Sequence, residues 1–177
     1  STGLNLAVAA VDQAALQQAL AALPRLEWGR KLDQFEVIEK ATVASPGNET
    51  LRQTLETGLL AVIRGDSTRA AKDYACRQLS LVGGGEAAAA LGGLLASPEL
   101  SHMARYALER MSVPSAAAAL REALPNTSGN LKAGIINSLG LKSDAASAPL
   151  LVAALQDSSA EVAAAAALAL GRIATPD

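Results

Sequence analysis

The sequence predicts an all-α protein of about ten helices stacked in pairs, with no strand. Three observations carry that reading. Half of the residues are apolar, yet that stock is mostly Ala and Leu, and only 2% of the chain is aromatic. Ala loses no side-chain entropy in a helix and Leu loses little, whereas strands draw on β-branched and aromatic residues. A helix-turn-helix pattern recurs with a period near 30 residues. Pro and Gly gather between the apolar runs, where they punctuate helices.

The elements follow in order. Segments Leu6–Leu23, Lys31–Ala44 and Glu49–Arg64 read as three helices, broken at "PRLEWG" and "SPGN" by Pro24, Gly29, Pro46 and Gly47. From residue 66 the copies are clear. Tyr74–Leu79 matches Tyr106–Met111 at a shift of 32, Met111 matches Leu139 at 28, and Leu139-Gly140 matches Leu170-Gly171 at 31. The other helix of each unit returns as "EAAAALGGLL" from Glu86, "SAAAALREAL" from Ser115 and "AASAPLLVAAL" from Ala145. In the last unit Asp157 and Ser158 form the turn, and a helix runs from about Glu161 to Ile173. One such pair cannot bury its apolar faces alone; the next pair covers them. Residues 1–177 therefore read as a single repeat domain, degenerate over 4–65 and regular over 66–177. The last unit stops after one helix at Thr175-Pro176-Asp177, so the natural chain is expected to continue.

The C-terminal unit "LQDSSAEVAAAAALALGRI" resembles the HEAT-like repeat of bacterial α-solenoids. The residues that carry the likeness are Asp157, Val162, Ala163–Ala167, Leu170, Gly171 and Ile173. With "RAAKDYACRQL", "LSHMARYALERM" and "NLKAGIINSLG", the chain is similar to a group common in planctomycete- and verrucomicrobia-like bacteria, whose members are often exported. The resemblance implies a right-handed α-α superhelix of the HEAT/armadillo kind and attaches no activity. Two departures stand out. The family's turn Asp is kept at Asp66 and Asp157 but replaced by Pro98 and Asn126. The basic ladder after the family's Val reads Lys72, Ala104, Lys132, Ala163, so it is half empty.

Several chemistries find little support. A net charge of -2 supplies no basic excess for a phosphate backbone, so no nucleic-acid partner is expected. "LNLAVAAVDQAALQQALAAL" is too polar to span a bilayer and lacks the basic start of a signal peptide, although a chain opening with Ser1-Thr2-Gly3 is compatible with a removed one. The compartment is left open between periplasm and cytoplasm. Cys76 is the only cysteine and reads as a buried, unreactive thiol. His102 is the only histidine, reads as a helix-start residue partly packed in its turn, and has no second ligand for a metal. Ser97, Ser101 and Asp66 read as turn and cap residues rather than members of a catalytic set.

"LSLVGGGEAA" (Leu79–Ala88) has the letters of a dinucleotide fingerprint at Gly83, Gly85 and Ala88. It follows a repeat helix instead of a strand, and its copies "MSVPSAAAAL" and "LGLKSDAASAPLL" lack the glycines. It therefore reads as an inter-helix corner whose glycines supply a tight or left-handed backbone. Trp28, the only tryptophan, is expected to plug the junction between the first helices.

No cofactor, metal or catalytic constellation emerges, so the expected function is a non-catalytic protein-interaction scaffold with a protein or peptide partner. The alternative is a structural segment of a larger exported enzyme; the HEAT-like DNA glycosylases and bilin-lyase relatives find no matching groove or pocket. Solenoids bind through positions that recur along the stack. The candidate strip is Lys72, Asp73, Arg77, Arg105, Glu109, Lys132 and Asn137. Within it Arg105 is placed to pair with Glu109, and Asp73 aligns with Arg105 for a salt bridge between units.

Overall fold

The computed structural model describes residues 10–29 and 33–175. Ten α-helices follow one another among them: α1 (Gln13–Ala22), α2 (Glu36–Ala44), α3 (Glu49–Arg64), α4 (Arg69–Val82), α5 (Gly85–Gly92), α6 (Ser101–Arg110), α7 (Pro114–Ala123), α8 (Gly129–Leu141), α9 (Ala148–Ala154) and α10 (Ala160–Ala174). There is no strand among the described residues. The all-α expectation and the helix count hold.

Local chemistry sets several starts. Asp12, Asn48, Thr68 and Ser159 each accept from the backbone N–H three residues on, at 3.0, 3.1, 3.1 and 3.4 Å, which satisfies one of the orphan donors of a first turn. The Asp12 cap delays α1: the helix expected from Leu6 begins at Gln13, with residues 10–12 outside it. Leu6–Ala9 of that expectation, and Lys31 and Leu32 of the next, lie outside the described residues. A 3-10 turn at Asp33–Phe35 precedes α2, so the helix proper starts at Glu36. α3 has the bounds the sequence predicts, between the Asn48 cap and Gly65.

The helices form two layers. α2, α4, α6, α8 and α10 pack in succession in one; α1, α3, α5 and α7 do so in the other, with α9 against α10. A continuous apolar core runs between them, from Leu16 and Leu55 through Leu79, Leu91, Leu108 and Leu120 to Ile135, Leu151 and Ala169. Small residues let neighbouring units approach. A Cβ at Gly140 of α8 would stand 2.9 Å from Ala169 Cα of α10, which leaves no room for any side chain. Each unit thus buries its neighbour's face, and an α-solenoid results.

Candidate functional site

The layer containing α4, α6 and α8 carries all seven residues of the predicted strip, but most of them bind the protein to itself. On α4, Arg77 Nε donates to Asp73 Oδ2 at 2.8 Å, one turn back. The Arg77 guanidinium also lies 5.4 Å from the Tyr106 ring centroid, which Arg110 covers from 3.6 Å. Lys132 of α8 meets Asp157 at 2.7 Å, and this cation with the Ser159 N–H holds the Asp157 carboxyl below its ordinary range. Lys72 and Asn137 are half-buried on α4 and α8.

Arg105 departs from both expected pairings. It joins neither Glu109 nor Asp73; it crosses to α8, where Nη1 donates to the Gly134 carbonyl at 3.3 Å. The physical reason is the glycine: a Cβ at position 134 would come within 2.8 Å of Arg105 Cζ, so only bare backbone leaves space for the guanidinium. Arg105 Nε is buried with no hydrogen-bond partner. Glu109 instead accepts from Ser138 Oγ of α8 at 2.6 Å, and Lys142 donates to the Glu109 and Met111 carbonyls at 3.2 and 2.8 Å. Burial pushes the Lys142 ammonium below its usual pKa. The centre of the strip is mortar between units.

The glycine corner is an inter-helix joint, with α4 ending at Val82 and α5 beginning at Gly85. Of the two forms expected, tight or left-handed, the joint takes the tight one: two residues separate the helices, with Gly83 at φ -70° and Gly84 at φ -101°. Close approach explains the glycine at 83, where a Cβ would meet the Leu79 carbonyl oxygen at 2.6 Å and Ala87 Cβ at 2.9 Å. Glu56 Oε1 accepts from Gly84 N at 2.7 Å and is itself held by Arg52 Nη1 at 2.7 Å through Oε2. A carboxylate of the chain therefore already faces the positive end of α5, where a phosphate would otherwise be drawn.

Trp28 also corrects its expectation. It plugs nothing; 67% of its surface is exposed. The segment is held by its neighbours, since Thr68 donates its hydroxyl to the Leu26 carbonyl and its N–H to the Pro24 carbonyl. Leu26 enters the core, and Gly29, at φ +79°, turns the chain just past the indole. Trp28 thereby edges a cavity of about 260 Å³, lined also by Glu39 of α2 and by Asp73, Tyr74 and Arg77 of α4. Tyr74 is buried there, its hydroxyl 3.4 Å from the Phe35 carbonyl. Burial first, and the Glu39 charge second, raise its pKa above the ordinary tyrosine range. The sequence strip reaches this cavity through Asp73 and Arg77; the unpaired indole in a linker was the signal for the rest.

His102 is exposed at the second position of α6 rather than packed in its turn, because the turn's buried positions go to Ser101 and Met103. Cys76 has no exposed surface, and burial pushes its thiol up to about 12. Among the described residues no group of three or more His, Cys, Asp or Glu could hold a metal ion, and no helix is long and apolar enough to cross a membrane.

Residues 122–177 match the family model for HEAT repeats. The HEAT match spans the end of α7 and all of α8, α9 and α10, so it takes in Lys132 and Asn137 of the strip. The Trp28 cavity lies on helices before the HEAT segment. No curated protein matches the chain.

Proposed function

We propose that this chain is a non-catalytic interaction scaffold that holds a protein or peptide partner on its HEAT-like stack. The observation that carries the reading is Trp28, held out of the core at the edge of a cavity by an anchored segment. Interface hot spots are enriched in tryptophan, and the repeats supply a rigid platform for it. Supporting it, the one cysteine is a buried thiol and the one histidine is an isolated surface residue.

Native co-purification from the source organism tests this, run beside the Trp28→Ala chain. The expected result is a stoichiometric partner retained by the unmodified chain and lost from the variant. Substrate turnover by the purified chain with no partner retained would sink the proposal.

A further inference from the structure

We infer that the Trp28 cavity receives an arginine side chain from the partner polypeptide; this rests on the scaffold reading and names what the scaffold grips. The cavity, at about 260 Å³, has room for one long side chain rather than an extended ligand. Its lining joins two aromatic residues, Trp28 and Tyr74, to three carboxylates, Glu27, Glu39 and Asp73. The only cation among the described lining residues, Arg77, is already taken by Asp73 at 2.8 Å. Lys40, the next cation on α2, is taken by Glu36 at 3.1 Å. Glu27 and Glu39 are left exposed with no cationic partner among the described residues.

That combination selects among ligands. An anion meets the two uncompensated carboxylates, Glu27 and Glu39, since the Asp73 charge is balanced by Arg77. An apolar side chain would strip water from carboxylates without replacing their hydrogen bonds. A guanidinium meets both demands, because its flat face stacks on an indole while its edge donates two parallel hydrogen bonds to a carboxylate. An ammonium lacks the plane and the fork. The backbone that carries Trp28 is anchored for this use: Leu26 is buried and its carbonyl accepts from Thr68, so that stretch of main chain does not have to be ordered when the ligand arrives.

The chain carries its own reporter, since Trp28 is the sole tryptophan. Titrating the full chain with Nα-acetyl-arginine methylamide is expected to change Trp28 emission saturably, and Nα-acetyl-norleucine methylamide to leave it unsaturated. Glu39→Gln, an exposed position whose circular dichroism and melting temperature check its fold, is expected to weaken arginine binding about tenfold, as loss of a charge-assisted hydrogen bond predicts. No saturable change with arginine, an equal response to norleucine, or indifference to Glu39→Gln overturns the inference. Saturable binding seen only after Arg30→Gln/Lys31→Gln overturns it too, by assigning the cavity to a cation of the chain itself. A partner that co-purifies equally with the Glu39→Gln chain overturns the arginine pocket and leaves the scaffold standing. Saturable arginine binding alongside turnover and no retained partner overturns the scaffold, and with it the partner polypeptide as the arginine's source, while the guanidinium selectivity of the cavity stands.

Discussion

Gly140 of α8 lies beneath Ala169 of α10 so closely that an added Cβ would stand 2.9 Å from the Ala169 Cα, whereas Gly171, its equivalent one unit later, has nothing within 4 Å. The same repeat letter thus does two different jobs. At 140 it is a seat for the next helix; at 171 it is an open position on an exposed face.

Gly140→Ala and Gly171→Ala should therefore move stability in opposite directions. Alanine at 171 relieves the helix of glycine's entropy cost, a gain of roughly 0.5–1 kcal/mol. At 140 the same gain is outweighed by overpacking against backbone, which costs about 1–3 kcal/mol. Urea unfolding of the two variants reads the sign directly, and a stabilised Gly140→Ala would contradict the packing described.

Trp28 should behave as a solvent-facing indole. Its emission in the folded chain is expected to sit close to that of the urea-unfolded chain, and acrylamide should quench it almost as well in both. A strongly blue-shifted, protected emission would return Trp28 to the interior.

Cys76 should stay silent toward thiol reagents until the chain unfolds. Burial removes access and lifts the thiol pKa to about 12, so the reactive thiolate is scarce at neutral and mildly alkaline pH. Labelling with an aromatic disulfide reagent should be slow in buffer and complete within moments in denaturant.

Acid should loosen the ion pairs. Arg52, then Gln53, hold the Glu49 carboxyl down to about 2 from an ordinary 4.5, and Lys132 holds Asp157 below its usual 3.8. Depressed carboxyls contribute stability that is whole above their unfolded values and is lost as pH falls through the folded ones. Both carboxyls meet solvent, so the loss is small and shrinks with added salt. Melting curves taken from pH 7 down to about 2 should show the decline between about 4.5 and 2, and Lys132→Ala should remove part of it.

α3 shows what was readable locally: a cap at Asn48, an apolar stripe through Leu51, Leu55, Leu59 and Val62, and a stop at Gly65 all sit within one short segment. Arg105 shows the opposite case. Its place beside Glu109 predicts a pair along the helix, but Gly134, 29 residues away, opens a better seat on the neighbouring helix. The candidate site divides the same way. Asp73 and Arg77 could be found from repeat position, while Trp28 was misplaced, because a lone large apolar side chain in a linker reads first as a plug and only contacts from distant residues put it outside.

The sequence by itself determined the helical class, the pairing of helices and the spacing of the units, because these follow from periodicity and punctuation within stretches of about 30 residues. The tertiary structure decided which glycines are seats, which charges are mortar and which aromatic faces water. Those outcomes depend on what the next unit or a distant cap brings within a few ångströms. Thr68, tied to Leu26 across 42 residues, is what holds Trp28 in the open.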